Sequence, residues 1–521
     1  MKAPATASSS TDAVAVAGGD EAARRQIRGS SLLLVGRGLS LGINFGIQVL
    51  VVRYLSKADY GAFAYALSLV ALGSSFATFG LDRSITRFIP IYDEEGNYRK
   101  LFGTLVLAVG TVASLGLVTV VLVYSLQGVL EGSLISDERA ISLLLIMVVL
   151  TPIQSLDGLL MGMFAVFSKP RAIFFRKYIL TPGLRLTVVL LLVLGNQSVF
   201  FLAGGYVAAA GVGVGIYAVM LYGMLRGEGL LQHFGFGKLD VPAREIFGFT
   251  IPLLTSDLVY VAMNTTDVLL LGHYRGAEEV GALRVIWPLA HLNQLVLTSF
   301  TLLFTPLAAR LFARDDKEGI NRLYWQTAIW IAVLTFPLFA LTFSLSEPLT
   351  VTLFGSRYSD SATYLTLLAL GYYFNAALGF NGLTLKVFGR LKYIVSINIA
   401  AALVNVGLNL VLIPRYGAMG AAIGTCTTLL LHNVFKQAGL LLGTGVTLFR
   451  RRDVAVYAAI VLAAGLLFAV QLAFSPPAYV GFAAAGIASL LVVAVGRRSL
   501  RAAEMFPELM RFRLMRLLVG E

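Results

Sequence analysis

Apolar runs of about twenty residues recur along nearly the whole chain, the first at 31–52 and the last at 478–496. Each is long enough to cross a hydrocarbon core of about 30 Å at 1.5 Å per residue. A backbone inside hydrocarbon must satisfy its own hydrogen bonds, so each run is read as a helix. Fourteen such spans are counted, and 521 residues allow about 37 for each helix with its connection. Only 13% of the residues are charged, whereas 57% are hydrophobic. A soluble globular protein carries roughly 25% charged residues. The deficit excludes a soluble enzyme, a disordered chain and a nucleic-acid-binding domain, and points to an all-α polytopic membrane protein.

The formal net charge of +13 then reads as topology. Cytoplasmic loops of membrane proteins carry an excess of Lys and Arg. With the N-terminus inside, the cytoplasmic segments hold 31 basic residues, including four in 83–100, four in 169–177 and three in 386–392. The outward loops hold seven: Arg53, Lys57, Arg139, Arg275, Arg284, Arg357 and Arg415. This asymmetry predicts an even number of spans, a cell-membrane location and both termini in the cytoplasm. The expected organisation is a cytoplasmic, partly disordered tail at 1–30, a six-helix bundle at 31–226 and a cytoplasmic linker at 227–246. A second six-helix bundle at 247–445 and two extra helices within 450–496 follow. The start lacks the pattern of a cleaved signal peptide, so the first span is expected to stay as an anchor. The tail at 497–521 interleaves Arg501, Arg511, Arg513 and Arg516 with apolar residues, a pattern suited to anionic lipid. The lone Cys426 and four scattered histidines give no metal site, and no cofactor is expected. Outward loops are too short for a catalytic domain, and no nucleophile elbow or zinc motif is present, so an enzyme is not expected.

Shifting the sequence by 220 residues lays the first span on the seventh: Asn44 on Asn264, Leu50 on Leu270, Tyr54 on Tyr274 and Gly61 on Gly281. Six spans per repeat is even, so the two bundles are parallel, related by an axis along the membrane normal, with a central path open alternately to either side. Polar residues recur at helical spacing within the spans. Arg37, Ser40, Asn44 and Gln48 share one face, a pattern repeated by Asp257, Tyr260, Asn264 and Asp267, and Asn398, Asn405 and Asn409 share another. Arg185 and Asp157 lie in the fifth and fourth spans. A charge at mid-membrane costs on the order of 3 kcal/mol on insertion scales, so such residues should face a wet cavity or a partner. Arg37, Asn44, Gln48, Arg185, Asn264, Asn398, Asn405 and Asn409 are therefore candidate cavity residues. Asp157, Asp257 and Asp267 are candidates for coupling or for pairing between bundles. Amide stripes serve equally well as contacts between helices.

The segment NVGLNLVLIPRYGAMGAAIGT at 405–425 resembles the signature of spans 11 and 12 in polysaccharide-repeat, O-antigen type flippases. These belong to the multidrug/oligosaccharidyl-lipid/polysaccharide exporter superfamily. Pro414 would end one helix, Gly417 make the turn and Gly420 admit the next helix closely. The segments VVRYLSKADYGAFAYA (51–66), DVLLLGHYRGAEEVGALRV (267–285) and GFNGLTLKVFGRLKY (379–393) are similar to the same family. The resemblance implies a flippase that carries a polyprenyl phosphate- or diphosphate-linked oligosaccharide from the cytoplasmic to the outer leaflet. Polysaccharide assembly proteins would then be its partners. A multidrug or cation antiporter and a lipid II flippase of the same superfamily are the alternatives.

Under the shift of 220, Arg37 overlies Asp257 at similar depth, which suggests a salt bridge between bundles in one access state. Arg37→Asp and Asp257→Arg should each abolish transport, and the double reversal should restore it. A double variant as inactive as the single ones would remove the pair.

Overall fold

The computed structural model describes residues 35–500 apart from 132–134, 136, 168, 236, 238 and 448–452, and leaves out the side chains of 252–264, 302 and 303. The expected tail at 1–30 and most of that at 497–521 lie outside the described residues. Helices follow one another with no strand among the described residues. In chain order they are α1 (Val35–Tyr54), α2 (Lys57–Thr78), α3 (Leu81–Glu94), α4 (Tyr98–Ser125), α5 (Glu138–Met147) and α6 (Leu150–Val166). Next come α7 (Pro170–Leu194), α8 (Val199–Gly227), α9 (Ala243–Arg275), α10 (Ala277–His291), α11 (Leu295–Ala313) and α12 (Lys317–Phe339). The chain continues with α13 (Ser346–Phe354), α14 (Ser361–Ala377), α15 (Asn381–Val387), α16 (Leu391–Thr444), α17 (Val454–Phe474) and α18 (Ala478–Leu500).

Ten helices among the described residues are long and apolar enough to cross a membrane, or eleven if the pair α5 and α6, bent by 42°, counts as one. The expected fourteen are not reached on that criterion, for readable reasons. The 54-residue α16 holds two arms, broken at Gly417 (φ 57°, ψ −135°). The 17-residue α14 spans only about 25 Å at 1.5 Å per residue, and the left-handed Gly379 separates it from α15.

The chain divides into two compact units. Of the described residues, unit 1 comprises those up to Tyr54, Leu69–Gly128 and Ser142–Thr255, and unit 2 comprises Leu55–Ser68, Val129–Ile141 and those from Ser256 onward. In unit 1 the amphipathic α3 sets the core. Its apolar residues Leu81, Ile85, Phe88, Ile89 and Tyr92 fall on one face and pack on Leu101, Phe102, Leu159 and Met163. Asn97 starts α4 by accepting the Lys100 backbone N–H at 3.2 Å. The start of α9 is tied down here too: the Ser84 and Thr250 hydroxyls are 2.6 Å apart, and Tyr92 donates to Glu245 at 3.0 Å.

Unit 2 is built around α12, where Tyr324, Trp325, Ala328, Ile331 and Phe336 are wholly buried. The last two helices dock on this element. Gln326 and Trp330 donate to the Leu500 carbonyl at 2.8 and 3.1 Å, satisfying groups that the end of α18 leaves open.

Three of the family-like segments meet in unit 2. A Cβ on Gly61 would strike the Ala277 carbonyl, and one on Gly281 would lie 2.6 Å from Gly61 Cα. Residues matched by the 220 shift thus press backbone on backbone. Lys57 pairs with Glu278 at 3.4 Å beside them. The Glu279 carboxylate accepts the Ala418 backbone N–H at 2.6 Å, just after the Gly417 break, where the N-terminus of a helix arm favours a negative charge. Arg275 donates to the Arg415 carbonyl at 2.7 Å. Gly417 makes the expected turn, and a Cβ on Gly420 would clash with the Leu412 carbonyl, so close packing requires glycine there. Pro414 does not end its helix; the break comes three residues later.

Gly281→Val should therefore lower stability by about 1–3 kcal/mol or more through overpacking against backbone. Gly407→Ala, where the new Cβ meets nothing within 4 Å, should be neutral or slightly stabilising. Melting of the two variants in detergent checks this, and equal melting points would contradict it.

Candidate functional site

Helix α7 does not run evenly. Phe174–Leu180 form a π-helical segment, wider by one residue per turn than its surroundings. The Thr181 hydroxyl donates to the Arg176 carbonyl at 2.8 Å, filling an acceptor that the widened turn leaves short. The segment turns Arg176 inward, so that its side chain is 5% exposed and its Nη2 donates to Asp157 Oδ1 of α6 at 2.7 Å. Neighbours make room for it. A Cβ on Gly213 of α8 would lie 2.9 Å from Arg176 Nη2, and one on Gly36 of α1 would strike Tyr178 and crowd Phe174.

Two rings complete the setting. Tyr217 stacks on Phe164 with centroids 4.4 Å apart and lies 5.6 Å from the Arg176 guanidinium. Arg185, two turns further along α7, sits 5.4 Å from the Tyr206 ring. A small pocket is lined by Gln154, Asp157, Arg176, Thr181 and Arg185, with Ala209, Ala210 and Val214 of α8. Asp157 keeps 37% of its side chain exposed, so the carboxylate has one side on Arg176 and one on the pocket. Among the described residues Arg176 Nε and the Tyr217 hydroxyl are buried without a hydrogen-bond partner. Two guanidinium groups against one carboxylate leave the pocket net positive. Such a site suits an anion, because a guanidinium bonds two oxygens at once.

The structure thus brings Asp157 and Arg185 together in unit 1. Arg37 is exposed on α1, and Asn44 returns its amide to the Ser40 carbonyl (2.7 Å) and hydroxyl (3.0 Å) within its own helix. Gln48 is half-buried on the same helix. The side chains of Asp257 and Asn264 lie outside the described residues. In unit 2, Asn405 and Asn409 are buried between the arms of α16: Asn409 donates to Asn405 at 3.2 Å, and Asn405 to Thr428 at 3.4 Å. Their position is that of a helix–helix contact. Asn398 meets His432 at 2.9 Å.

Asp267 is 3% exposed and accepts the Val268 backbone N–H at 2.8 Å. It interacts electrostatically with Arg284 of α10, whose guanidinium lies 3.9 Å from the Trp287 ring. His291 continues the cluster, 4.4 Å from the Tyr372 ring. Reasoning from sequence missed both Arg176 and Arg284, counting them as loop cations. Each lies within a helix instead. For Arg176 the available signal was Asp157, an intramembrane carboxylate in need of a partner.

Residues 27–312, more than half of the chain, match the family model described as polysaccharide biosynthesis protein, and residues 252–411 match that described as MatE. An uncharacterised membrane protein of Methanocaldococcus jannaschii, MJ1068, is 22% identical over 77% of this chain and 81% of its own length. The succinoglycan biosynthesis transport protein ExoT of Rhizobium meliloti is 26% identical over 64% of this chain and 63% of its own. The probable low-salt glycan biosynthesis flippase Agl15 of Haloferax volcanii is 20% identical over 41% and 47%. Among solved structures, the lipid II flippase MurJ in an inward closed conformation superposes with a TM-score of 0.69 at 16% identity, covering 91% of this chain and all of that one. An inward-facing multidrug resistance MATE transporter gives 0.61 at 15% identity, covering 78% and 93%. At these identities the structures show the fold.

Removing one partner of a buried ion pair typically costs about 3–5 kcal/mol, because the other charge is stranded. Asp157→Ala should therefore lower the melting point sharply, whereas Asp157→Ala combined with Arg176→Met should recover most of it. A single variant as stable as wild type would show that the pair is not held in this way.

Proposed function

The chain belongs to the polysaccharide biosynthesis protein family, flippases of the multidrug/oligosaccharidyl-lipid/polysaccharide superfamily, and from that premise we propose that it translocates a polyprenyl-linked oligosaccharide. The carrier's phosphate or diphosphate is read by Arg185, and the glycan is moved from the cytoplasmic to the outer leaflet by alternating access. The observation that supports this reading is the net-positive pocket between α6, α7 and α8. Arg176 is committed to Asp157, whereas Arg185 has no carboxylate within ion-pair distance among the described residues. In a site with little water the attraction between a guanidinium and a phosphate is far stronger than in bulk solvent. Gln154 and Thr181 add an amide and a hydroxyl to the same lining, groups suited to sugar hydroxyls.

The relatives named for glycan and succinoglycan biosynthesis support a sugar-bearing cargo. On this reading the protein sits in the cell membrane with both termini cytoplasmic, and its product feeds assembly of surface polysaccharide or glycan. The work done is transport, with no bond made or broken in the cargo.

Proteoliposomes loaded with a fluorescent polyprenyl-diphosphate oligosaccharide test the proposal. Wild-type protein should move the label between leaflets, Arg185→Ala should slow it at least tenfold, and Arg185→Lys should keep part of the rate. Full activity in a well-folded Arg185→Ala variant would remove the pocket from the mechanism. Gradient-driven efflux of a cationic drug without movement of the sugar lipid would favour the multidrug antiporter. Rescue of a peptidoglycan flippase mutant would favour the lipid II reading.

A further inference from the structure

A second cationic site, separate from that pocket, stands in unit 2 where α15 meets the second arm of α16. Lys436 is half-buried there, eight residues before the end of α16, about 12 Å along the axis. Its ammonium lies over Gly382: a Cβ added to that glycine would be 3.6 Å from Lys436 Cε and 3.7 Å from Nζ. Lys386, one turn further along α15, is exposed and near enough for the two positive charges to repel. Neither lysine forms an ion pair with a carboxylate of the described residues. Two like charges held together at a partly desolvated place, with no counter-charge, are unfavourable until an anion joins them.

The surroundings are built rather than loose. Gly382 donates its backbone N–H to Asn381 Oδ1 at 2.7 Å. Asn381 donates to Asn433 at 3.1 Å, and Asn433 donates to Asn375 at 2.8 Å and to the Leu429 carbonyl at 2.9 Å. Asn381 is 3% and Asn433 0% exposed, so α14, α15 and α16 are locked together directly behind the two lysines. Arg390 closes the end by donating to the Gly443 carbonyl at 2.9 Å, the favourable place for a cation at a helix C-terminus. His432, one turn before Lys436 on the second arm of α16, meets Asn398 of the first arm at 2.9 Å. This rigid amide backing distinguishes the pair from lysines that merely reach for the membrane surface.

We propose that Lys436 and Lys386, on the frame of Asn381, Asn433 and Asn375, form a binding site for the phosphate of a lipid in the inner leaflet. Residues 386–392 belong to an inner loop in the orientation proposed above, which puts Lys386 on the inner face with Lys436 further in along α16. The inference rests on that orientation and not on the identity of the transported lipid. The phosphate comes either from a bilayer phospholipid or from a polyprenyl phosphate.

Purified full-length protein is titrated with phosphatidic acid, a polyprenyl phosphate and, as zwitterionic control, phosphatidylcholine, and binding is read by native mass spectrometry. The two phosphate lipids should bind at least tenfold more tightly than phosphatidylcholine. Lys436→Gln combined with Lys386→Gln should erase that preference, and Lys436→Arg should keep it. Lys386 is exposed, so Lys386→Gln leaves the fold intact and should alone weaken phosphate-lipid binding about threefold. A preference for polyprenyl phosphate assigns the carrier as ligand, and equal binding assigns any lipid phosphate. Unchanged binding in Lys386→Gln, or in a folded double variant, overturns the site. Arg185→Ala should leave this binding untouched, so failure of the transport reading and failure of this one are told apart.

Discussion

A charge among transmembrane helices has no water to solvate it, and much of unit 1 follows from how Arg176 is answered. One oxygen of Asp157 at 2.7 Å neutralises it. To carry the guanidinium to that oxygen, α7 widens into a π-helical turn over Phe174–Leu180. To leave it room, residue 213 is a glycine, and Gly36 lets α1 close over the rings of Phe174 and Tyr178. A π turn inside an α-helix frequently marks a functional site. Here it places a paired cation beside Arg185 in one pocket lining.

The gross architecture was legible from sequence because lipid imposes one rule on every span. Long apolar runs must be helices, and the few charges inside them stand out. Asp157 and Arg185 were found in that way, and they share a pocket. Arg176 was not, since its place at the edge of an apolar run made it look like a topology signal. Counting residues along an ideal helix could not foresee a turn with one residue too many. Arg284 was missed for the same reason and lies over Trp287 at 3.9 Å. Asn405 and Asn409 show the opposite limit. Their spacing places them on one face, yet a cavity wall and a helix contact require the same spacing, and only the partner at Thr428 distinguishes the two.

Motifs that resemble the flippase family proved to be joints. Residues from 51–66, 267–285 and 405–425 meet through Lys57 and Glu278, Glu279 and Ala418, and Arg275 and Arg415. Each contact answers a backbone or a charge that a sharp change of chain direction leaves open. Segments far apart in sequence therefore carry residues matched to one another. Lys386 belongs to a fourth such segment, 379–393, where Gly379 admits Ala328 closely: a Cβ added there would lie 2.9 Å from that of Ala328.

The seam between Gly61 and Gly281 has a consequence of its own. Most contacts between helices interlock side chains, and closing them freezes rotamers at up to about 2 kcal/mol for a long side chain. Here bare backbone rests on bare backbone, with a would-be Cβ of Gly281 at 2.6 Å from Gly61 Cα. No rotamer is lost when this seam shuts and none is regained when it parts. Its selectivity is purely steric, like two flat faces that mate only while nothing protrudes from either.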